Sequence, residues 1–423
     1  MKRRKSLKFT GLKTSCKITE LLDKNDSYCA ERYGYLQTDE GLEPSYVTRA
    51  HETRVSITNP VYSQELPAVG YTLIVNKNGQ MYKWNSGEFA TPKGYGVVSG
   101  VYPSVVSCVV DGVNAYGVFS GTRVGIIKDG TQVVKTISRK VTGAAYHCGR
   151  VFAVDNDNPY IIRWSGYDIV NWTEGIEGGG YLQLSPTLGK AFCVLLVGEK
   201  LVILRENGVS VLVALGDSRH FRMQGGSDVF VKGVVDKTAA TCGGKLWFFA
   251  ADGLCCYDGS TVKTTRLNFF GKNYAVEGAR VRFGRYIYFP LNDGGVRDIL
   301  EFDTATGAYA VFGRGCSNPT FLGEGLYCFV GNLLTDLVRG GSDENRVWKS
   351  KVLNLGTRRV KTLKNLYVES DSTAEIVIDC DGRLRSVSGA GKIYVGECGT
   401  DFTLSVNGNG KITRLAAEWE VHA

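Results

Sequence analysis

Four histidines are the side chains best suited to act as metal ligands or general bases near neutral pH. None of them has metal-binding or HExxH spacing, since they lie far apart along the chain: His51, His147, His220 and His422. The sequence also has no G-x-S-x-G elbow and no P-loop. The glycine run at 178–180 lacks the strand–helix context of a phosphate cradle. We therefore expect structural histidines, no metal, no cofactor and no enzymatic activity.

Two pairs of carboxylates lie close enough in sequence for acid–base chemistry. They are Asp155 with Asp157, and Glu174 with Glu177. A glycoside hydrolase needs two such groups about 5 to 10 Å apart across the sugar. Asp also favours turns, because its side chain accepts hydrogen bonds from nearby backbone amides. We therefore interpret these acids as turn residues, with a hydrolase as an alternative.

The cysteines and the hydropathy pattern indicate a protein made in a reducing compartment. The 12 cysteines are scattered, no C-x-x-C pair occurs, and Cys255 and Cys256 are adjacent, which suits neither a zinc knuckle nor an ordinary disulfide. We expect them to be mostly buried small side chains, with disulfides as the alternative. No apolar stretch approaches the roughly 18 to 20 residues of a membrane span. The basic start at residues 1–5 lacks a following apolar segment, so we do not expect secretion.

Positive charge is concentrated locally, although the net charge of +8 is mild for 423 residues. One cluster contains Arg358, Arg359, Lys361 and Lys364. The other lies at the start of the chain and contains Lys2, Arg3, Arg4, Lys5 and Lys8. Such runs can contact phosphates or an acidic partner surface. We propose the second cluster as a candidate contact with a partner or with DNA, the alternative being a solvated tail.

The chain has 53 glycines, and many of them close short alternating runs that are typical of β-hairpins. Residues 71–75 and 80–84, for example, flank Asn78-Gly79. This hairpin unit recurs at intervals of about 42 residues, a period typical of propeller blades. The aligned strand positions are Leu73, Tyr116, Val151, Leu201, Leu246, Ile287 and Leu326. One small sheet cannot bury both of its faces, so such sheets stack around an axis.

The pattern predicts an all-β protein with three parts. Residues 1–55 lack a strand rhythm and are predicted to form an N-terminal extended arm over the body. Residues 56–345 are predicted to form a β-propeller with six or seven blades. Residues 346–423 lose the blade spacing and are predicted to form an antiparallel β-sandwich. Stacked sandwiches with coincidental spacing are the structural alternative.

Three groups of segments, in this order, resemble a family of virion proteins. The first is residues 9–12 (FTGL), 30–36 (AERYGYL) and 41–44 (GLEP); the second is 159–165 (PYIIRWS) with 171–172 (NW); the third is 201–209 (LVILRENGV), 228–234 (DVFVKGV), 243–249 (GGKLWFF) and 252–259 (DGLCCYDG). They are similar to β-propeller structural proteins of phage tails, namely tail nozzle or tubular proteins and packaged-DNA stabilisation hubs. The resemblance implies a tail component in the virion, made in the host cytoplasm, without catalytic residues.

The resemblance also implies partners. We expect other copies of the chain in a ring, neighbouring tail, adaptor or portal proteins, DNA in a channel, and no membrane span. Two other functions stay open from the residues alone. Exposed Trp and Tyr side chains would suit a propeller that binds host-surface carbohydrate, and a carboxylate pair would suit a propeller glycoside hydrolase.

Overall fold

The computed structural model describes residues 16–22, 26–49, 55–85, 93–97, 102–129, 131–175, 178–341 and 346–422. The chain divides into two compact units. The smaller comprises Met1–Thr48, Thr306–Arg314 and Val338–Ala423, and the larger comprises Arg49–Ala305 and Gly315–Leu337. The described regular elements are β-strands and three short 3₁₀ helices, Pro67–Val69, Pro186–Leu188 and Ser218–His220. The prediction of an all-β protein is confirmed.

Five short strands precede the first sheet of the larger unit. They are β1 (Cys16–Glu20), β2 (Cys29–Tyr33), β3 (Tyr35–Thr38), β4 (Gly41–Pro44) and β5 (Tyr46–Arg49). The first sheet of the larger unit contains β6 (Pro60–Leu66), β7 (Tyr71–Asn76), β8 (Gln80–Trp84) and β9 (Lys93–Val97). The second contains β10 (Ser104–Val110), β11 (Val113–Lys128), β12 (Thr131–His147), β13 (Arg150–Asp155), β14 (Ile161–Trp164) and β15 (Gly180–Gln183).

Four further sheets follow in chain order. The third sheet contains β16 (Ala191–Val197), β17 (Lys200–Arg205), β18 (Gly208–Val213), β19 (Arg222–Met223) and β20 (Val229–Phe230). The fourth contains β21 (Ala240–Cys242), β22 (Lys245–Ala250), β23 (Gly253–Tyr257) and β24 (Val262–Thr265). The fifth sheet contains β25 (Ala275–Val276), β26 (Arg280–Arg282), β27 (Tyr286–Asp293) and β28 (Val296–Asp303). The next strand along the chain, β29 (Tyr309–Phe312), belongs to the smaller unit. The sixth sheet contains β30 (Cys316–Leu322), β31 (Gly325–Val330) and β32 (Leu333–Arg339). The strand pairs within these sheets are antiparallel, and most join sequence neighbours; β20 instead pairs with β18, and β25 pairs with β27.

Successive sheets of the larger unit pack face to face through buried apolar side chains. Phe152 and Ile203 belong to one such core, and Leu204 and Phe248 belong to the next. The long second sheet also packs on itself, because Phe119 of β11 contacts the core that includes Val151 of β13. That sheet therefore supplies two packing layers. Six hydrogen-bonded sheets give seven layers in all.

The seven layers close into a ring. Ile57 and Ile74 share a core with Phe329 and Leu334, which joins the last sheet to the first. Thr320 Oγ1 in β30 also lies 2.7 Å from Ser63 Oγ in β6. A ring of small antiparallel sheets packed face to face is a β-propeller. The prediction of a six- or seven-bladed propeller is confirmed, and the packing gives seven blades.

We number the blades in chain order. Blade 1 is β6–β9, blade 2 is β10 to the first half of β12, blade 3 is the second half of β12 to β15, blade 4 is β16–β20, blade 5 is β21–β24, blade 6 is β25–β28, and blade 7 is β30–β32. Each aligned position of the sequence repeat falls on the second strand of its blade, in β7, β11, β13, β17, β22, β27 or β31. The repeat therefore marks the hairpin that starts each blade.

Tight turns explain why that hairpin could be recognised from the glycines in the sequence. In four blades both central residues of the turn have positive φ: Asp111–Gly112, Cys148–Gly149, Gly243–Gly244 and Phe283–Gly284. This is the type I′ geometry, whose twist matches paired strands and which favours glycine. The glycine-rich lead-ins of the sequence are these turns.

The smaller unit contains the remaining strands, β33 (Val347–Ser350), β34 (Lys361–Ser370), β35 (Ala374–Cys380), β36 (Arg383–Gly389), β37 (Gly391–Gly399), β38 (Phe402–Gly408) and β39 (Ile412–Val421). One sheet has the order β3-β4-β39-β34-β37, with β1 also paired to β39, and the other has the order β2-β33-β38-β35-β36. Phe402 and Trp419 meet edge to face between the two sheets, with centroids 4.9 Å apart. The prediction of a C-terminal β-sandwich is confirmed.

The N-terminal segment differs from the sequence expectation in residues 16–49. We expected no strands there, but β2, β3 and β4 pair into the two sheets of the sandwich. Arg346, which is 1% exposed, fixes this segment by donating to the carbonyls of Gly34 and Ser45 at 3.2 and 3.4 Å. The strands are four or five residues long, too short to show a two-residue period. The compact units divide after Thr48 and before Val338, and the smaller one also includes Thr306–Arg314.

Candidate functional site in the central cavity

One cavity of about 1320 Å³ lies at the centre of the propeller. All seven blades line it: β6, the start of β10, the second half of β12 with the end of β13 and the loop after it, β16, β21 with the residues before it, β26, and the end of β30 with the turn after it. Its volume is somewhat above the usual range of about 300 to 1,000 Å³ for small-molecule sites. The innermost strands of the propeller therefore enclose space for a compact ligand.

Tyr102, just before β10, links four blades across this cavity. Its hydroxyl accepts a hydrogen bond from Arg280 Nη1 of blade 6 at 3.1 Å. The Lys237 ammonium, at the entrance to blade 5, lies 5.1 Å from the centroid of its ring. The ring of Tyr62 in blade 1 approaches it edge-on at 5.4 Å. Tyr102 therefore brings two cations and a second aromatic ring to one place.

Arg280 of β26 is the central cation of this cluster. It is 9% exposed, and its guanidinium lies 4.6 Å from the centroid of the Tyr62 ring. Besides Tyr102, Nη1 donates to the carbonyl of Ala279 at 2.8 Å and Nη2 donates to Asn318 Oδ1 at 3.1 Å. These acceptors are all neutral. No carboxylate in the described part of the chain forms an ion pair with Arg280.

Arg282 lies two residues further along β26, on the same face of the strand, and is 8% exposed. Its Nη2 donates to the backbone carbonyl of Glu324. Its guanidinium lies 4.5 Å from the centroid of Phe283 and 5.7 Å from that of Phe321. Its Nε is buried without an acceptor among the described residues. Arg282 is thus a second cation at the cavity wall with aromatic neighbours and no carboxylate partner there.

The acidic side chains of the cavity wall have other roles. Asp155 Oδ1 accepts from the backbone amides of Asp157 and Asn158 at 2.9 and 3.1 Å, and Oδ2 accepts from Arg163 Nε at 2.5 Å. Burial acts to raise the pKa of Asp155, but the hydrogen bonds from Arg163 and the two amides outweigh it and hold that pKa below its usual value. Asp155 therefore stays ionised and closes a turn.

Two other acids of the cavity wall accept hydrogen bonds from backbone amides. Glu65 Oε1 accepts from the amide of Gly323 at 2.6 Å, which joins blade 1 to blade 7. Asp236 accepts from the amide of Lys237 at 2.8 Å. Desolvation raises the pKa of Asp236, and Lys237 opposes that rise. Neither acid is bonded to Arg280 or Arg282.

The carboxylates proposed from sequence as an acid pair belong to ion pairs of blade 3. Asp157 is exposed and meets Lys140 at 3.4 Å. Glu174 meets Arg139 and Arg163 at 3.2 and 3.5 Å, and Glu177 lies outside the described residues. These contacts agree with the interpretation of the acids as structural.

The basic residues proposed from sequence are only partly described. Lys2, Arg3, Arg4, Lys5 and Lys8 lie outside the described residues. In the cluster at residues 358–364, Lys361 is fully buried and donates to the carbonyls of Arg359 and Thr400 at 2.8 and 2.6 Å. Lys364 pairs with Glu420 at 2.6 Å. Half of that cluster therefore stabilises the sandwich.

Histidines and cysteines form no metal site in the part of the chain that the structure describes. His147 lies in β12 and His422 follows β39, while His51 lies outside the described residues. Nine of the cysteines there are buried or carry a pKa raised by burial, including Cys255, whose thiol meets Thr264 Oγ1 at 3.4 Å. None of the described helices is long and apolar enough to cross a membrane.

Comparison with known proteins supports the fold. No family model matches the sequence, and no curated protein matches it. Among solved structures, the chain is similar to the β-propeller domain of Cps50 (Swd1) from Myceliophteria thermophila. The match has a TM-score of 0.52 and 11% identity, and covers 69% of this chain and 99% of that domain. This chain is a β-propeller protein with a β-sandwich.

The sequence did not single out Tyr102, Arg280 or Arg282. A signal was present at residues 280–282, where arginine, valine and arginine alternate shortly before the aligned repeat position Ile287. In the structure both arginines are buried, and Val281 is only partly so. Arginine at two successive inward positions of a strand is uncommon. Such a pattern indicates an inner surface that contains buried positive charge.

Proposed function

We propose that this chain is a structural protein of a phage tail: a nozzle, hub, adaptor or baseplate component. Its copies would form a ring and contact neighbouring tail, adaptor or portal proteins, and its place would be the virion. The support is the resemblance of the three sequence segments together with an all-β architecture of a propeller and a sandwich. The structural roles of Asp155 and Glu174 favour this proposal over a glycoside hydrolase.

The observation that carries the assembly part of the proposal is the exposed edge of the sandwich. β36 and β37 are consecutive strands, and each is the last strand of its sheet. Leu384 and Tyr394 on them are 73% and 76% exposed. Edge strands with exposed apolar side chains readily pair with another chain. We assign this edge to contacts with a second copy of the chain.

Electron microscopy and native mass measurement of the purified protein test the assembly. A closed ring is expected, built by heterologous contacts between identical copies. A protein that stays monomeric at every concentration would contradict ring formation. Labelling of phage particles with an antibody against the chain should mark the tail, and label absent from particles would contradict the virion role.

The N-terminal basic residues form a separate part of the proposal. Lys2, Arg3, Arg4, Lys5 and Lys8 are proposed to contact an acidic partner or DNA in a channel of the assembled tail. Deleting residues 1–8 should impair assembly or DNA retention. A matched deletion mutant that yields particles with normal DNA content would overturn this role.

A carbohydrate-binding propeller is the second candidate, and two tyrosines of blade 3 favour it. Tyr167 and Tyr181 are 62% and 51% exposed. Arg150 and Arg163 lie 4.3 and 5.4 Å from the centroids of their rings and hold them in place. Exposed aromatic rings with fixed orientation suit stacking on sugars. A glycan-array signal that is lost when both tyrosines are changed to alanine would support this candidate over the first.

A further inference from the structure

We infer that the central cavity of the propeller binds a small organic oxyanion, a phosphate or carboxylate carrying an aromatic or apolar group, at Arg280 and Arg282. The inference does not depend on the tail role proposed above. It assigns a ligand site to a surface that assembly through the sandwich edge leaves unused.

The first argument is charge. Arg280 and Arg282 are both more than nine-tenths buried, and the acceptors of their hydrogen bonds are neutral carbonyl, amide and hydroxyl oxygens. Burial of a cation carries a desolvation cost, and an anion offsets that cost more fully than neutral acceptors do. No carboxylate in the described ranges pairs with either guanidinium. An oxyanion in the adjoining cavity would supply the missing charge.

The second argument is the inventory of donors. A guanidinium has five N–H groups. Arg282 uses its Nη2 on the carbonyl of Glu324, and the structure shows no acceptor for its Nη1 among the described residues. Unlike Nε, Nη1 is not enclosed by protein atoms. Arg282 therefore presents free donors at the cavity wall, in the planar arrangement that matches two oxygens of a phosphate or carboxylate.

The third argument is the remainder of the wall, which sets the class of ligand. Tyr62 and Tyr102 meet edge to face beside Arg280, and Phe321 lies beside Arg282. Aromatic rings next to fixed cations suit a ligand with both an apolar part and an anionic part. The cavity of about 1320 Å³ has room for such a molecule.

The acids of the wall do not remove this preference. Asp155 is bonded to Arg163 and to turn amides, and Glu65 is bonded to the amide of Gly323. Glu324, the fourth acid of the wall, meets Arg282 through its backbone carbonyl. Asp236 has a pKa raised by its surroundings, and its carboxylate accepts from the amide of Lys237. The positive charge on β26 is therefore not cancelled by direct contact.

Titration calorimetry with three probes tests the inference: phenyl phosphate, benzoate and the neutral benzyl alcohol. At least one of the two anions should bind saturably with one site per chain, and at least tenfold more tightly than benzyl alcohol. The preference between phosphate and carboxylate then defines the headgroup. Absence of saturable binding for both anions, or equal binding of benzyl alcohol, would overturn the inference.

Variants locate the site. Arg282→Gln should weaken anion binding roughly ten- to a hundredfold through loss of charged hydrogen bonds, and Arg282→Lys should lose less. Arg222→Gln, which removes an exposed arginine of β19, is the matched control and should bind as the unchanged protein does. Unchanged affinity in a folded Arg282→Gln protein would overturn the assignment.

A second variant covers the case in which Arg282→Gln fails to fold. Ala239 lines the cavity just before β21, the first strand of blade 5. Ala239→Trp should abolish binding by filling the space, with circular dichroism as the check on folding. Full binding by the Ala239→Trp protein would place the ligand elsewhere and overturn the inference.

Discussion

Replacing Asp155 separates a structural acid from a catalytic one, and the structure gives the size of the effect. Asp155→Ala removes two acceptor bonds to the amides of residues 157 and 158 and one ion pair with Arg163. Both side chains of that pair are about nine-tenths buried, so solvent screens the pair little. Breaking such a pair from one side costs about 3 to 5 kcal/mol.

Two features of the site limit this cost. Arg163 keeps a contact with Glu174 at 3.5 Å and stacks on Tyr181, so it is not left fully unpaired. The turn amides lie near the surface and can reach water. We therefore expect Asp155→Ala to lower the free energy of unfolding of blade 3 by about 3 kcal/mol. Asp155→Asn keeps the amide bonds and should cost about 1 to 2 kcal/mol.

The assay is hydrogen exchange of the β13–β14 hairpin, followed by mass spectrometry, since it reports the stability of one region of a multidomain protein. The matched control is Asp157→Ala. Asp157 is 73% exposed and forms only a surface ion pair with Lys140, so its loss should change stability by less than about 0.5 kcal/mol. Equal protection in the Asp155→Ala and Asp157→Ala proteins would refute the structural role of Asp155.

Lowering the pH also tests the structural role of Asp155, because the direction in which its contribution to stability changes is known. The pKa of Asp155 is lower in the folded protein than its usual value. Its contribution to stability is therefore present above the unfolded pKa of about 3.9 and is lost as the pH falls through the lower folded value. The difference in protection between the unchanged protein and Asp155→Asn should shrink below about pH 4. A difference that stays constant down to pH 2 would contradict the ion pair.

Two further predictions concern packing and assembly. Gly143 has φ of +57°, and a Cβ there would overlap the backbone of Cys193 in blade 4, so Gly143→Ala should cost about 3 kcal/mol or more; Gly198→Ala, at φ of +61° in open space, should cost only about 1 kcal/mol, and equal melting temperatures would refute the close approach. Changing Leu384 and Tyr394 to lysine should reduce the oligomer observed by native mass measurement without lowering the melting temperature, and an unchanged oligomer would exclude that edge.

The propeller was predictable because its signal is local. Each blade starts with a hairpin whose turn needs positive φ, and glycine at that turn is visible in the sequence, as in Gly243–Gly244 and Phe283–Gly284. The merging of blades 2 and 3 was not predictable. It depends on β11 and β12 continuing for 16 and 17 residues, with register shifts near Gly121 and Thr142.

The N-terminal strands were missed for the opposite reason. β3 pairs locally with β4, but β2 pairs with β33, whose sequence lies more than 300 residues away. No local pattern specifies such a partner. Arg346 holds this segment on the sandwich by donating hydrogen bonds to the carbonyls of Gly34 and Ser45. A buried arginine that binds backbone carbonyls is indistinguishable in sequence from one on the surface.

The same limit explains why the cavity was not predicted, and Arg205 shows it by comparison with Arg280. Both are buried arginines on blade strands. Arg205 donates to the carbonyl of Gly189 at 2.6 Å and so secures the loop that leads into its own blade. Arg280 instead reaches Tyr102 and Asn318, in two other blades, at the point where the inner strands converge. Loss of either arginine should destabilise the fold, but Arg280 lines the central cavity and Arg205 does not. Stabilisation by an added oxyanion therefore distinguishes the two roles, because it requires the cavity and not merely a buried guanidinium.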